Sequence, residues 1–214
     1  GGNRRKQTST CISGETSLLD SIKFVSYYHN CSEEYARSIS PELPADIAWV
    51  ASTLPRRETQ AEMNRDLWWL FTSRGWCYDS KPAGITAAPP RELSIPNSDK
   101  GQTKRSPERN LCRSTTTLEA EWRTDFAKTF AGGLVHLEVQ FGKVESMFKD
   151  FCGFRIGWYE RRISLGIEIV VCRPRSFFRG RERTVSGMAY FEIARQTLPA
   201  IGLECPIWLV GLEE

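Results

Sequence analysis

Three residues able to take part in hydrolytic chemistry lie in or just before the stretch GGLVHLEVQFG, residues 132–142. Glu138 and Gln140 stand one residue apart in an otherwise apolar run, and Asp125 precedes the glycine pair. Two carboxylates that converge beside a main-chain carbonyl form an all-oxygen pocket, which suits a hard divalent cation such as Mg²⁺. A cation held in this way can activate water for attack on a phosphodiester.

The element that positions Glu138 and Gln140 is a strand predicted over 134–141. Side chains of a strand alternate between its two faces, so His136 shares the face of Glu138 and Gln140, and we expect this polar face to point into a cleft or solvent. A hairpin through Gly132–Gly133 would return the chain so that Asp125 lies near Glu138. Alternation alone also fits a solvated sheet edge, so the interpretation depends on Asp125.

The remaining periodicity predicts helices alternating with strands in the C-terminal half. This alternation indicates an α/β fold with a sheet flanked by helices. The predicted helices are 32–39, 42–54, 59–76, 143–152 and 188–201, and the further predicted strands are 165–173 and 206–212.

Length and composition are those of an ordinary globular chain. With 214 residues, 40% hydrophobic and 26% charged, the sequence predicts one domain over 1–214 with a flexible tail at 1–14. No apolar run approaches the ~18 residues of a membrane span, and no membrane partner is expected. Seven cysteines without zinc-type spacing favour a reduced, cytoplasmic protein.

Basic charge is concentrated in two segments, although the net charge is only +3. Segments 100–113 and 173–183 each carry five basic residues against one acidic residue, which is the pattern expected for a polyanionic partner if the fold brings them onto one face. The segment 79–116 is rich in proline, glycine and serine and is predicted to be irregular. A DNA-contacting insertion that orders on contact is favoured, and a passive flexible insertion is the alternative.

Seven motifs in this order resemble the BglII and BstYI family of type II restriction endonucleases. The resemblance implies the PD-(D/E)xK nuclease fold, a central mixed sheet flanked by helices, in which this branch has glutamine where the usual motif has lysine. The motifs are FVSYYHNCSEEY at 24–35, a tryptophan-containing helix at 42–54, TDF at 124–126, LEVQFG at 137–142, GIEIVV at 166–171, MAYFEIA at 188–194 and PIWLVGLE at 206–213.

The resemblance implies a catalytic set made of Asp125, Glu138 and Gln140. Asp125, Glu138 and the main-chain carbonyl of Val139 would bind Mg²⁺, with other divalent ions such as Mn²⁺ as substitutes. The interval from Asp125 to Glu138 is longer than in the family pattern, which leaves Glu121 or Glu119 as alternative partners of Glu138. Two accessory candidates are Glu62 on the helix at 59–76 and His136, which also fits an ordinary hydrogen-bonded histidine.

In that family, DNA sequence is read by two loops, one after the E-V-Q strand and one before the helix at 188–201. The corresponding residues, together with basic residues expected to contact phosphates, are Gly142, Lys143, Arg179, Arg181, Arg183, Ser186, Lys104, Arg105 and Arg109.

The function implied is that of a cytoplasmic, prokaryotic restriction enzyme that cuts double-stranded DNA at a short palindrome, with a GATC core shared by the family. A palindrome implies a two-fold homodimer. Two alternatives are an inactive or regulatory DNA-binding protein of the same fold and a nuclease that acts on modified DNA.

Overall fold

The computed structural model describes residues 22–93, 95, 108–178 and 187–214. A short 3-10 helix at Arg109–Cys112 precedes the second half of the sheet. The strands and helices are β1 Lys23–His29, α1 Glu33–Ile39, α2 Glu42–Thr53, α3 Gln60–Ser73, β2 Cys77–Tyr78, β3 Phe126–Phe130, β4 Gly133–Val139, α4 Val144–Tyr159, β5 Leu165–Val171, α5 Pro174–Phe177, α6 Phe191–Ala200 and β6 Ile207–Glu213.

The strands form one six-stranded sheet in the order β1-β6-β5-β4-β3-β2. The central strands β4, β5 and β6 are parallel to one another, whereas β1, β3 and β2 join them in antiparallel pairs. The predicted α/β class with a central mixed sheet flanked by helices is therefore confirmed. In the described segments, none of the helices has both the length and the apolar character needed to cross a bilayer.

Two hydrophobic clusters cover the two faces of the sheet. One contains residues of α1, α2 and α3 with alternate residues of the central strands, among them Ile167 and Ile169 of β5. The other contains residues of α4 and α6 with Val170 of β5. Helix α4 lies very close to β5, since a Cβ on Gly166 would be 2.6 Å from the ring of Phe154. Burial on both faces explains why β5 reads as a continuous apolar run interrupted by a single charge.

Several boundaries differ from those the sequence predicts. Helix α4 extends to Tyr159 instead of 152, because Gly153 is a buried residue within the helix and does not end it. Gly157, one turn later, also allows close packing, with Ser114 O only 3.3 Å from where its Cβ would be. Helix α6 begins at Phe191 instead of 188, because Met188 is held in an extended bridge with Lys143. The aromatic run at 23–29 is a full edge strand paired with β6.

The segment 79–116 is irregular in the residues described, as predicted. Apart from the 3-10 helix, its described residues 79–93, 95 and 108–116 contain only turns, bends and one bridge, between Arg113 and Arg123. Leu93 and Cys112 are nevertheless buried, so the segment contributes to the core.

Asp46 on α2 is a buried carboxylate that connects α2 to the end of α3 and to β3 through hydrogen bonds. Its removal is expected to destabilise the fold strongly. Asp46 is 1% exposed and accepts hydrogen bonds from Arg74 Nε at 2.8 Å, Trp76 Nε1 at 3.2 Å and Lys128 Nζ at 2.7 Å. Asp46→Ala leaves these donors without their acceptor, so we expect a loss of about 3 kcal/mol in the free energy of unfolding, measured in urea.

The matched control is Glu33→Ala, which removes the exposed ion pair with Arg37 on α1. We expect a loss of only about 0.5 kcal/mol from that variant, since exposed pairs contribute little. Equal losses from the two variants would show that the Asp46 cluster adds nothing beyond a surface pair.

Candidate active site

The hairpin of β3 and β4 brings Asp125 and Glu138 together. The two strands pair in antiparallel register with Phe126 opposite Leu137, which places the residues just outside this pair side by side. Gly133 at the turn has a φ of +132°, a conformation that favours glycine. The predicted hairpin through the glycine pair is confirmed.

Two hydrogen bonds connect these carboxylates to the hairpin backbone. The N–H of Asp125 donates to Glu138 Oε2 at 3.1 Å, and the N–H of Val139 donates to Asp125 Oδ2 at 3.0 Å. By contrast, Glu121 pairs with Arg123 at 3.3 Å, and the hydrogen bonds that connect the hairpin to Glu138 and Val139 are made by Asp125 and not by Glu121 or Glu119. The structure thus places Asp125, and neither alternative, beside Glu138.

The environment of this pair opposes negative charge. Although Asp125 is an exposed residue, the protein atoms around its carboxyl group desolvate it and raise its pKa. The pKa of Glu138 is raised well above its usual value, first by burial and then by the carboxylates of Asp125, Asp150 and Glu168. Crowded carboxylates of this kind are stabilised in their charged form by a cation.

The oxygen atoms available beside Asp125 and Glu138 determine which cation the site suits. Within the described segments, no three acidic, histidine or cysteine side chains are arranged to hold a metal by themselves. Asp125 and Val139 line one small cavity of about 70 Å³, but Glu138 does not line it, so the hydrogen bonds of the hairpin and not this cavity define the candidate metal site. Two carboxylates, a main-chain carbonyl and water suit Mg²⁺, which keeps several of its waters.

Gln140 follows β4 and its side-chain amide is held at both ends. Its Nε2 donates to Asp150 Oδ2 of α4 at 2.9 Å, and its Oε1 accepts from the N–H of Gly142 at 2.9 Å. Sequence reasoning missed Asp150, ten residues further along the chain. The available signal was a carboxylate between the buried residues Met147 and Phe151 of an amphipathic helix.

The polar face of β4 is not open to a cleft or solvent along its whole length, and that expectation is wrong for His136. This side chain is fully buried, and its Nε2 bonds to the carbonyl of Leu111 at 2.7 Å. Burial lowers its pKa to about 4, so it is neutral near pH 7 and its Nε2–H donates. The interpretation as a hydrogen-bonded histidine is therefore favoured over a DNA contact.

Glu168 lies opposite Glu138 in the register of β4 and β5. It is fully buried, and neither carboxylate oxygen has a hydrogen-bond partner among the described residues. Burial raises its pKa well above the usual value, and the carboxylates of Asp150 and Asp125 add to the shift. Glu168 is a second functional candidate that the sequence analysis did not select.

The raised pKa of Glu168 predicts a pH-dependent cost to stability. As pH rises above about 4.3, the unfolded chain releases this proton before the folded protein does, so folding becomes less favourable with pH. Glu168→Gln does not titrate, so its stability relative to wild type should improve between pH 5 and pH 8, by at most about 1.4 kcal/mol per pH unit. Urea unfolding with EDTA at both pH values measures this; a pH-independent difference would contradict it.

Helix α3 presents Asn64, and not Glu62, to the cavity beside Asp125. Asn64 lines that cavity, and its Oδ1 is buried without a hydrogen-bond partner in the described part of the chain. Glu62 instead forms a capping box with Thr59 at the start of α3, and hydrogen bonds from Thr59 lower its pKa. The prediction that Glu62 faces the site is therefore wrong, because capping fixes its side chain at the start of the helix. The residue of α3 that faces the cavity is Asn64, two positions later.

The two loops expected to read DNA meet next to Gln140. Gly142 O accepts from the N–H of Ala189 at 2.9 Å, and the N–H of Val144 donates to Gly187 O at 2.8 Å. Lys143 between them is exposed, and Arg109 is paired with Asp79 at 2.9 Å. The remaining expected DNA contacts, Lys104, Arg105, Arg179, Arg181, Arg183 and Ser186, lie outside the described residues.

Comparison with known proteins gives a consistent result. A family model described as restriction endonuclease BglII/BglIII matches residues 33–212. A solved structure described as restriction endonuclease BglII complexed with a DNA 16-mer superposes with a TM-score of 0.54 and 16% sequence identity, covering 90% of this chain and 77% of the other. No curated protein gave a significant match. At that identity the structural likeness establishes the fold.

Proposed function

Because this chain belongs to the restriction endonuclease BglII/BglIII family and is a type II site-specific deoxyribonuclease, we propose that it cuts double-stranded DNA with Asp125, Glu138 and Gln140. The observation that carries this assignment is the pair of hydrogen bonds that hold Asp125 against Glu138 and Val139. The two carboxylates are thereby fixed side by side before substrate arrives, as the residues of a phosphodiesterase site must be.

Restriction endonucleases generally use divalent metal ions, and we infer that the ion here is Mg²⁺, with Mn²⁺ as a substitute. Asp125, Glu138 and the main-chain carbonyl of Val139 would hold it. When bound, such an ion supplies an activated water and neutralises charge that develops on the phosphate. Gln140 has one amide hydrogen that Asp150 does not take, and this hydrogen can donate to water or to a phosphate oxygen.

DNA binding is supported by the family and by the solved relative, which is a DNA complex by its description. We propose that Gly142, Lys143 and the segment 179–186 read base edges in the major groove, while Lys104, Arg105 and Arg109 contact phosphates. A palindromic target with a GATC core is proposed from the resemblance of the LEVQFG strand and its neighbours to the family.

We propose that 1–214 acts as one domain and pairs as a homodimer in a prokaryotic cytoplasm, so that each copy cuts one strand of the palindrome. Helix α4 carries exposed apolar side chains that support a protein contact. Phe148 is 39% exposed and Tyr159 is 75% exposed, and both lie on one side of the helix with the exposed Cys152.

The assignment is tested by digesting methylated and unmethylated plasmid DNA with Mg²⁺ and sequencing the fragment ends. Discrete fragments with one sequence at their ends are expected, and EDTA should abolish them. A gel shift in EDTA without any cutting in Mg²⁺ or Mn²⁺ would identify a DNA-binding protein instead. Cleavage of methylated DNA alone would identify a nuclease for modified DNA.

A further inference from the structure

The amide of Gln140 has a defined orientation because its two partners are of opposite kind. Asp150 offers only an acceptor at neutral pH, so the nitrogen must face it, and the N–H of Gly142 offers only a donor, so the oxygen must face it. Both bonds are 2.9 Å long. Exchanging the two ends of the amide would break both bonds at once.

This orientation decides where the remaining hydrogen of Gln140 points. The amide group is planar, so fixing one N–H towards Asp150 also fixes the direction of the other. Without Asp150, only the Gly142 contact would restrain the side chain, and a single bond leaves the amide free to rotate about its terminal torsion. A donor in a hydrolytic site contributes most when it is already aligned.

Helix α4 holds Asp150 firmly enough to do this. Met147, Phe151 and Phe154 are buried against the sheet, and Asp150 lies half-buried among them on the turn that faces Gln140. The hydrogen bond from Gln140 Nε2 is made to this half-buried carboxylate at 2.9 Å. The position of Asp150 on α4 therefore determines the position of the Gln140 amide nitrogen.

We propose that Asp150 is a positioning residue for cleavage, which acts by holding Gln140 in the orientation that presents its second N–H to the reacting groups. This inference depends on the proposed function of Gln140. In this proposal α4 orients the side chain of Gln140, because Gln140 lies beyond the end of β4 and the strand does not hold that side chain.

The test compares Asp150→Ala and Asp150→Asn in single-turnover cleavage of a plasmid that the wild type cuts. Loss of a hydrogen bond to a charged group corresponds to about a tenfold to hundredfold slower reaction, which we expect for Asp150→Ala with DNA affinity in EDTA changed less than about twofold. Asp150→Asn should recover most of the rate, since its Oδ1 still accepts from Gln140. Glu33→Ala on α1 is the surface control and should cut at the wild-type rate.

A double-mutant comparison shows whether Asp150 acts through Gln140. In a Gln140→Ala background, adding Asp150→Ala should slow cleavage no further. The inference would be overturned if the rate losses of the two alanine substitutions multiplied in the double mutant. It would also be overturned if Asp150→Ala cut at the wild-type rate, or if Asp150→Asn were as slow as Asp150→Ala. Absence of cleavage by the wild type would instead overturn the proposed function and the inference with it.

Discussion

Replacing Glu138 by alanine is expected to slow DNA cleavage by at least about a thousandfold while leaving a folded protein that binds DNA. Glu138 is one of the two carboxylates that converge at the β3–β4 hairpin, and its removal takes away half of the charge available to a cation. Loss of about 4 kcal/mol of transition-state stabilisation corresponds to that factor. Single-turnover cleavage with Mg²⁺ and gel shifts in EDTA measure the two properties separately.

Glu138→Gln separates the charge from the hydrogen bond. Its amide oxygen can still accept from the N–H of Asp125, a bond of 3.1 Å in the wild type, but it cannot ionise. We expect the same loss of cleavage with a smaller effect on unfolding in urea than alanine causes. Wild-type cleavage by either variant would remove Glu138 from the active site.

Asp125→Asn is expected to slow cleavage by about a hundredfold to a thousandfold, whereas Glu121→Gln should leave it unchanged. The amide oxygen of the substituted side chain can still accept from the N–H of Val139, so the hairpin is kept and only the charge is lost. Losing a charged ligand of a catalytic cation removes about 3 to 4 kcal/mol of stabilisation. Cleavage rates at several Mg²⁺ concentrations show whether the Asp125→Asn variant also needs more of the ion.

Glu121 provides the control because it is exposed and paired with Arg123. It is one of the two acidic residues, with Glu119, that the sequence offers as alternative partners of Glu138. A strong loss in Glu121→Gln, together with normal cleavage by Asp125→Asn, would show that the DNA-bound protein uses a different carboxylate from the one beside Glu138.

The parts of the site that could be predicted are those encoded locally. Alternation in β4 places Glu138 on the face opposite Leu137, and the glycine pair before it predicts the hairpin that returns Asp125. Periods of two and of 3.6 residues fix most elements of the sheet and its helices. Such signals need only neighbours in the sequence, so a single chain is enough to read them.

The parts that could not be predicted depend on contacts between distant segments. Asp150 and Asn64 reach the site only because α4 and α3 pack on opposite faces of the sheet. His136 is buried and bonds to the carbonyl of Leu111, 25 residues earlier in the 3-10 helix, a contact that the alternation of side chains in β4 could not indicate. Glu62 was assigned towards the site from the resemblance to related nucleases, whereas the capping box with Thr59 holds its side chain at the start of α3.

Among the described residues, two main-chain hydrogen bonds connect the loop after β4 to the segment before α6, from the N–H of Ala189 to Gly142 O and from the N–H of Val144 to Gly187 O. These backbone hydrogen bonds do not involve the side chain of Lys143, whereas Gly187 has a φ of +80° that favours glycine at that position. Under the proposed role of Lys143 in reading DNA, exchanging this side chain would change the target preference and leave the spacing between this loop and the proposed catalytic residues constant. On this fold, homologous enzymes can differ in the DNA sequence that they recognise and share one catalytic site.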